Sequence, residues 1–345
     1  MADEGQAKKK ISSLWFVIII VAIVGGLYFR AHFEIRLDNE RGVTVSRRDE
    51  DTPSGEESPA SSPGPTEKTD ATLPPNPDKE ISPMTTMTIA TWDLAPLNFE
   101  KLSDATRAQL IADVISQFDL IAVQGVARTT QPLDELVRRI NAKGKKYAYV
   151  VPKNIGMLPE YVAFLFDTSI VKYDPAKTYE IDGPTLSYRP LVASFCTVQP
   201  SPEKAFTFNL VNIKIPDDRK DMETAMLRQI FREARDRDQA EDDVIMLGNF
   251  GKPVQQIDSM RDVPYLAIVH DDLPTTIDGM DSTENIVFDN KRTGIECIGN
   301  AKRVDLVRLF DLKLSDASAI AEHLPISAEF SVFEAVSPRA TMNEK

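Results

Sequence analysis

Few residues in this sequence have the types and spacing that chemistry usually requires. His270, Asp271 and Asp272 form a run of potential metal ligands. Neighbouring side chains on a loop point apart, so we expect a solvated turn there, with metal ligation as the alternative. Cys196 and Cys297 lie about 100 positions apart without a C-x-x-C motif, which excludes a disulfide scaffold and a structural zinc cage. The sequence contains no G-x-S-x-G elbow, P-loop or H-E-x-x-H motif.

Charge limits the possible partners. The 345 residues include 40 Lys and Arg against 53 Asp and Glu, a formal net charge of −13. Phosphate contacts need a basic face, so broad nucleic-acid binding is disfavoured. One stretch is densely basic and predicts a solvated helix end, with lipid headgroup or nucleic-acid contact as the alternative. Its residues are Arg138, Arg139, Lys143, Lys145 and Lys146.

The segment 84–336 alternates short apolar runs with amphipathic stretches, which predicts strands and helices in one globular domain. The amphipathic stretches at 102–118, 132–142 and 221–237 predict helices. Strands mixed with helices in two similar halves indicate two packed sheets with helices outside, an α/β sandwich. The predicted strands are MTIATWDL (87–94), DLIAVQ (119–124), YAYVV (147–151), YVAFLFD (161–167), LVASFCTV (191–198), AFTFNLVNIK (205–214), VIMLGNF (244–250), NIVFD (285–289) and SAEFSVF (327–333).

The N-terminal region predicts a membrane anchor. After a basic tail at 1–10, the stretch Ile11 to Phe29 carries no charge and spans about 28 Å as a helix, enough to cross a bilayer core. Trp15 and Tyr28 lie near its ends, where interfacial aromatic residues are common. A cleaved signal peptide is the alternative. Positive residues balance across the span, but a short basic N-terminus usually stays in the cytoplasm, so we expect an extracytoplasmic domain on a single-pass anchor.

Residues 30–83 differ from both neighbours in composition. From about Asp38 to Pro83 the segment is rich in Pro, Ser and acidic residues and has almost no aliphatic ones. Such a chain cannot bury enough apolar surface to offset its ordering entropy. We therefore expect a disordered linker at 30–83 and a disordered tail at 337–345.

The order of the segments in the globular part resembles the endonuclease/exonuclease/phosphatase superfamily, which has the DNase I-like fold. The blocks that carry the resemblance are IATWDL, DLIAVQGV, EYVAFLFD, YRPLVASF, FNLVNIKI, DDVIMLGNFG, STENIVFD and AEHLPISAEF. The RPLVASF and FNLVNIK segments look most similar to bacterial members. The resemblance implies a four-layer α/β sandwich, with two mixed sheets flanked by helices. It also implies phosphoester cleavage with Mg²⁺ held by carboxylates.

The resemblance also implies the positions of the site. The residues at the family's motif positions are Asp93, Gly125, Glu160, Arg189, Lys214, Asn249, Gly251, Glu284, Asn285, Glu322 and His323. Four of them depart from the family in a way that removes its chemistry. Gly125 stands in place of the metal-ligating glutamate, and Lys214 in place of a histidine. Asn249 and Gly251 replace the aspartate and asparagine of G-D-F-N.

These departures predict a degenerate site. A glycine supplies no metal ligand, and losing one charge-stabilising donor costs about 10²–10³ in rate. We therefore expect a non-catalytic domain that binds a ligand or protein in the old cleft, without a cofactor. The first alternative is a divergent Mg²⁺-dependent phosphodiesterase, nuclease or phosphatase with residual ligands Asp93, Glu284 and Glu322. The second is a purely structural domain.

For several of these residues the sequence predicts specific contacts. Lys214 should form an ion pair with Glu160, and Gly125, Asn249 and Glu284 should surround one pocket. His323 is expected to be either an idle pocket residue or a phosphate donor. Arg189 is expected either to serve the framework or to contact an anion.

Overall fold

A computed structural model of the chain describes residues 33–38, 42–47 and 85–335, except 154, 156–158, 184, 238–240 and 271–272. The expected basic tail (1–10), membrane anchor (11–29) and C-terminal tail (337–345) lie outside the described residues. No helix within the described ranges is long and apolar enough to cross a membrane. The chain divides into two units, Met1–Pro77 and Asp78–Lys345.

The described part of the first unit is a β-hairpin. Strands β1 (Phe33–Asp38) and β2 (Gly42–Arg47) pair antiparallel, with Ile35 opposite Val45. The hairpin lies within the 30–83 segment, whose disorder stays a prediction, and forms strands at these two stretches. The reason lies in the sequence, since apolar residues alternate along FEIRLD and GVTVSR in the period-2 pattern of strands. The Pro- and Ser-rich part of the expected linker lies outside the described residues.

The second unit contains two six-stranded sheets within its described residues. The first sheet has the spatial order β13–β14–β3–β4–β6–β5 and the second the order β11–β12–β10–β9–β8–β7. The strands of the first sheet are β3 (Thr86–Leu97), β4 (Leu120–Ala127), β5 (Tyr147–Val150), β6 (Glu160–Asp167), β13 (Cys297–Arg303) and β14 (Ile326–Ser331). Those of the second are β7 (Val171–Glu180), β8 (Leu191–Thr197), β9 (Thr207–Lys214), β10 (Val244–Asn249), β11 (Leu266–Ile268) and β12 (Glu284–Asp289).

Helices connect the parallel strands. The α-helices are α1 (Phe99–Ser103), α2 (Ala105–Ile115), α3 (Gln131–Asn141), α4 (Lys220–Glu223), α5 (Leu227–Arg237), α6 (Asp258–Arg261), α7 (Leu306–Phe310) and α8 (Leu314–Ile320). Each sheet has one parallel pair, β3 with β4 and β9 with β10, and its other pairs are antiparallel. A parallel pair needs a crossover, which α1 and α2 supply in the first sheet and α4 and α5 in the second. Both sheets are therefore mixed, as expected.

Three hydrophobic cores separate four layers. Alternate residues of each strand face opposite sides of its sheet. Ile89 therefore joins the core between the sheets, while Ala90 joins the core under the outer helices. On the other side, Val211 and Phe231 belong to the core between the second sheet and α5. The order helix, sheet, sheet, helix confirms the predicted α/β sandwich.

Two features of the fold differ from the predicted elements. The helix expected at 221–237 is broken into α4, a 3₁₀ turn (Thr224–Met226) and α5. At this break Glu223 is fully buried and accepts hydrogen bonds from the amide and hydroxyl of Ser187. Strands β7, β11 and β13 were not predicted. All three lie at sheet edges with mostly half-buried or exposed residues, so they lack a strong apolar signal.

Candidate functional site

Strand ends from both sheets meet at one end of the sandwich. In the second sheet, Asn249 pairs with Lys214 on one side and with Glu284 on the other, so these residues lie side by side. Asp93 of β3 and Glu160 at the start of β6 reach them from the first sheet. The strand register therefore places five of the expected site residues in one polar cluster, which we call the cleft cluster.

Lys214 lies at the centre of the cleft cluster. Its Nζ is 3.2 Å from Oδ1 of Asp93 and 3.2 Å from Oε2 of Glu160. The predicted contact with Glu160 is confirmed, and the second contact with Asp93 was not predicted. Tyr188 completes the surroundings, with its ring centre 5.3 Å from the ammonium and its hydroxyl 3.3 Å from Glu160. The cation thus bridges two carboxylates from different strands.

Both carboxylate oxygens of Asp93 are occupied by protein donors. Asn249 Nδ2 donates to Oδ2 at 2.9 Å, and the amide of Ala95 donates to Oδ1 at 3.0 Å. Burial of Asp93 favours its neutral form, but the charges of Lys214 and His323 and these two hydrogen bonds outweigh burial. The pKa of Asp93 therefore lies below its usual value.

His323 forms the second ion pair of the cleft. Its Nδ1 lies 2.7 Å from Oε1 of Glu284, whose other oxygen accepts a hydrogen bond from the Thr283 hydroxyl at 3.0 Å. Burial lowers the pKa of His323, but the charges of Glu284 and Asp93 raise it more, to about 9. The indole of Trp92 donates to the His323 carbonyl and fixes the loop. His323 is therefore a cation held by a carboxylate at neutral pH.

The position of Gly125 cannot hold any side chain. Asp93 pairs with Gln124 and Leu97 with Val126, so three residues of β3 bulge opposite this one glycine. The backbone of Gly125 has φ +76°, and a Cβ there would lie 2.4 Å from Cβ of Ala95. The bulge Leu94–Pro96 thus fills the space next to the strand where the resemblance expects a glutamate.

Lys101 supports this bulge and was not predicted as a site residue. Its Nζ donates to the carbonyls of Leu94 at 2.8 Å, Ile320 at 2.9 Å and Ala95 at 3.3 Å. Burial is the main reason that the pKa of Lys101 falls to about 8, although the charge of Asp93 opposes the shift. No sequence signal marks this lysine, since Lys on a short helix is usually solvated.

The residues present do not fit the Mg²⁺ centre that the resemblance implies. A carboxylate that already neutralises a protein cation is a poorer ligand for a hard cation, because the two positive charges compete for it. Asp93 is engaged by Lys214, Asn249 and a backbone amide, and Gly125 offers nothing. Glu284 remains, already paired with a protonated histidine. The cleft cluster therefore neutralises its carboxylates with its own cations.

Gly251 has a backbone role next to the cluster. Its amide donates to Oδ1 of Asn249 at 2.8 Å, which orients the Asn249 amide towards Asp93. The φ of Gly251 is +72°, in the region that favours glycine. Gly251, which stands where the resemblance implies an asparagine, therefore contributes a backbone turn and no side chain.

Three expected site residues lie away from the cleft cluster. Arg189 is 44% exposed and pairs with Asp182 at 3.2 Å, while its neighbour Tyr188 reaches the cluster instead. Asn285 is buried and bonds the backbone of His270 through both ends of its amide. Glu322 is exposed, which does not support the alternative in which Asp93, Glu284 and Glu322 hold one cation. His323 is instead the third group near Asp93 and Glu284.

His270 also differs from expectation. The residue is buried rather than part of a solvated turn, and its Nε2 lies 3.2 Å from the Ser327 carbonyl. Burial lowers its pKa, so the ring is neutral. Since β11 ends at Ile268 and Asn285 holds the His270 backbone, the histidine turns into the sandwich. Asp271 and Asp272 lie outside the described residues.

A buried amide pair joins the two sheets beneath the cleft. Gln124 of β4 donates to Asn212 Oδ1 at 2.7 Å and to the Thr91 hydroxyl at 2.9 Å. Asn212 of β9 donates to the Ala163 carbonyl at 2.9 Å. Buried polar groups are costly unless bonded, so these contacts fix how the sheets face each other. The sequence analysis did not identify this pair.

Comparison with solved structures shows which fold this arrangement belongs to. A humanized D. rerio TDP2 carrying 14 mutations matches with a TM-score of 0.53 at 16% identity, over 71% of this chain and 98% of that one. The chain has the fold of the endonuclease/exonuclease/phosphatase superfamily. D. rerio TDP2 complexed with a single-strand DNA product matches with a TM-score of 0.52 at 14% identity, over 71% of this chain and 98% of that one.

The human Nocturnin catalytic domain with bound sulfate anion matches this superfamily fold as well. Its TM-score is 0.50 at 13% identity, over 72% of this chain and 94% of that one. No family model matches the sequence, and no curated protein matches it. The structural similarity therefore defines the DNase I-like fold, while the function has to be argued from the site.

Proposed function

We propose that residues 85–335 are a non-catalytic binding domain on a phosphoesterase fold, which takes a ligand or protein at the cleft. The position of Lys214 supports this most strongly. Its ammonium lies 3.2 Å from the carboxylates of both Asp93 and Glu160. A cation that belongs to the chain neutralises these carboxylates, so a metal ion gains little by binding there.

The charge distribution supports a partner other than nucleic acid. Four of the five basic residues between 138 and 146 form ion pairs within the protein. Lys214 and His323 are paired with carboxylates in the cleft. Since phosphate binding needs unpaired basic groups, we expect weak binding of single-strand DNA at physiological salt. The D. rerio TDP2 structure, in contrast, contains a single-strand DNA product.

A membrane tether is part of the same proposal. The uncharged stretch 11–29 supports a single-pass anchor, and the Pro- and Ser-rich segment before the domain supports a spacer. The test is alkaline extraction of membranes from cells that produce the full chain, with protease added from outside. We expect the full chain in the membrane pellet and the domain to be cleaved. Extraction of the full chain by alkali would refute the anchor.

The catalytic test uses the full chain with bis-p-nitrophenyl phosphate and a single-strand DNA oligonucleotide, in Mg²⁺ or Mn²⁺. We expect no turnover above the protein-free blank, and the same result for Asp93→Asn and Glu284→Gln. Turnover by the native chain that Asp93→Asn abolishes would refute the non-catalytic proposal.

One observation favours a second candidate, a divergent metal-dependent phosphodiesterase. Ligand atoms of Asp93, Glu284 and His323 lie within 4.8 Å of one another. Such an enzyme would have to displace the Lys214 ammonium from Asp93 and deprotonate His323. Its activity should therefore rise steeply with pH towards 9, where His323 loses its proton. A pH profile of any residual turnover distinguishes this candidate from a contaminant.

A further inference from the structure

A second acidic cluster lies at the end of the sandwich opposite the cleft. Asp243 precedes β10, whose far end is Asn249, so about 20 Å separates the two clusters at about 3.3 Å per residue. Glu296 precedes β13, and Glu334 follows β14. We call Asp243, Glu296 and Glu334 the basal cluster. Its members come from both sheets.

The carboxylates of the basal cluster converge. One oxygen from each of the three residues lies within 4.8 Å of the others, and Glu241 and Asp242 approach Asp243 in the same way. Backbone contacts fix the outer oxygens, since Glu296 Oε1 accepts from the Ala335 amide at 3.0 Å and Glu334 Oε2 from the Thr207 amide at 3.1 Å. The remaining oxygens are left for another partner.

Orphaned buried oxygens indicate what that partner is. Asp243 is 3% exposed and Glu296 is 2% exposed. Asp243 Oδ1 and Glu296 Oε2 are buried carboxylate oxygens without a well-formed hydrogen bond among the described residues, and the neighbouring Thr293 hydroxyl is the one group that supports Asp243. A buried carboxylate oxygen without a partner is strongly unfavourable, because burial removes the ion from water and nothing replaces its hydration. These oxygen atoms need a cation or a proton.

Protein cations do not meet this need within the described part of the chain. No described Lys, Arg or His forms an ion pair with Asp243, Glu296 or Glu334. Arg292 is the nearby guanidinium, and it contacts Asp242 and Asp289 at 3.8 Å. Asp243, Glu296 and Glu334 therefore face one another without a paired basic group among these residues, and their negative charges repel. This repulsion is the opposite of the balance found in the cleft.

We propose that the basal cluster binds one divalent cation of the kind that prefers oxygen ligands, Ca²⁺ or Mg²⁺. Carboxylate and hydroxyl oxygens are the ligands these ions take in proteins. Glu334 is only half-buried, which leaves a route for the ion from solvent. Because the strands that carry these residues come from both sheets, the ion would hold the base of the sandwich together. This inference does not depend on the function proposed for the cleft.

The test is calorimetric titration of the full chain, stripped with EDTA, with Ca²⁺ and with Mg²⁺ separately. The variants are Glu334→Gln and Glu296→Gln. Glu329→Gln is the matched control, because Glu329 lies on β14 but pairs with Lys302 at the surface. Glu284→Gln reports on the cleft. Thermal unfolding with and without each ion gives a second readout.

We expect one ion per chain and a higher melting temperature when it is bound. Glu334→Gln and Glu296→Gln should weaken binding by about 10- to 100-fold, at least the cost of losing a supporting partner at a metal site. Glu329→Gln and Glu284→Gln should bind as the native chain does. If Glu296→Gln does not fold, the half-buried position of Glu334 still provides the comparison.

The proposal is overturned by any of three results. The native chain does not bind either ion saturably, Glu334→Gln binds as the native chain does, or Glu284→Gln abolishes binding and so locates the ion in the cleft. If the native chain does not bind either ion, Glu334→Gln should raise its melting temperature, because the substitution removes one of three carboxylates that repel one another.

Discussion

Replacement of Lys214 by methionine tests whether its ammonium holds the cleft together. The side chain is 9% exposed and its partner Asp93 is 2% exposed, so the substitution leaves a buried carboxylate without its main counter-charge. Breaking such a buried pair by removing one partner costs about 3–5 kcal/mol of unfolding free energy. Asp93 keeps its bonds to Asn249 and Ala95, so we expect about 3 kcal/mol.

The pH dependence of this loss follows from Asp93. In the native protein its folded-state pKa lies below 3.8, so its contribution is present above that pH and is lost as pH falls through the folded value. In Lys214→Met the pKa of Asp93 rises, because burial is no longer opposed by the ammonium. The deficit of the variant should therefore be largest near pH 7 and shrink as pH falls through the raised pKa of Asp93 in the variant, closing fully only below the depressed pKa of the native protein.

The measurement is urea unfolding at pH 7, 5 and 3, with Lys302→Met as the matched control. Lys302 is 67% exposed and contacts Glu329 at 3.1 Å, so its loss should cost less than about 1 kcal/mol. The double variant with Asp93→Asn should cost less than the sum of the single changes, because no unpaired charge remains. A deficit as small as the control's, or one that does not change between pH 7 and 3, would refute the reasoning.

Three further predictions concern the same end of the sandwich. Gly125→Ala should lower the free energy of unfolding by more than the 1–3 kcal/mol typical of backbone strain, because its Cβ would clash with Ala95, and urea unfolding measures this loss. Gly125→Glu should gain no Mg²⁺-dependent hydrolysis in a phosphodiesterase assay. A variant that is stable and active would contradict the packing described here. His323→Gln should remove a stabilisation that is complete below pH 6.5 and lost as pH rises through about 9, so an unchanged stability profile over this range would disprove the Glu284 ion pair. Lys101→Met should cost about 1–3 kcal/mol for each carbonyl left unsatisfied, measured by thermal unfolding at pH 7, and a neutral effect would show that water replaces the ammonium.

The sequence predicts the fold better than the site because strands and helices follow from local periodicity, whereas the site depends on contacts between distant segments. The buried runs Leu120–Val123 of β4 and Val244–Leu247 of β10 are apolar, and both strands were located correctly. Edge strands such as β7 bury little and leave no such pattern. The contact of Lys214 with Glu160 was predictable from their places in matching blocks. Its contact with Asp93 depends on how two sheets meet, which no local pattern encodes.

The direction of side chains near position 189 could not be predicted from the sequence. Tyr188 contacts the cleft cluster, whereas its neighbour Arg189 pairs with Asp182 away from it. The bulge opposite Gly125 was also invisible, because it consists of ordinary residues whose register is set by a strand about 30 positions away. The segments that carry the site residues were predictable from the sequence, but the direction in which each side chain points was not.

The bulge Leu94–Pro96 and the glycine opposite it make a ligand at position 125 hard to introduce by single substitutions. A glutamate cannot fit there while Ala95 holds the space, and shortening the bulge alone would open a void beside the glycine. Lys101 adds a third condition, because its ammonium is satisfied by the carbonyls of that same bulge. Introducing the carboxylate that the resemblance implies would therefore require coordinated changes in three segments. A change in only one of these segments would lower the stability of the chain, so the three segments constrain one another.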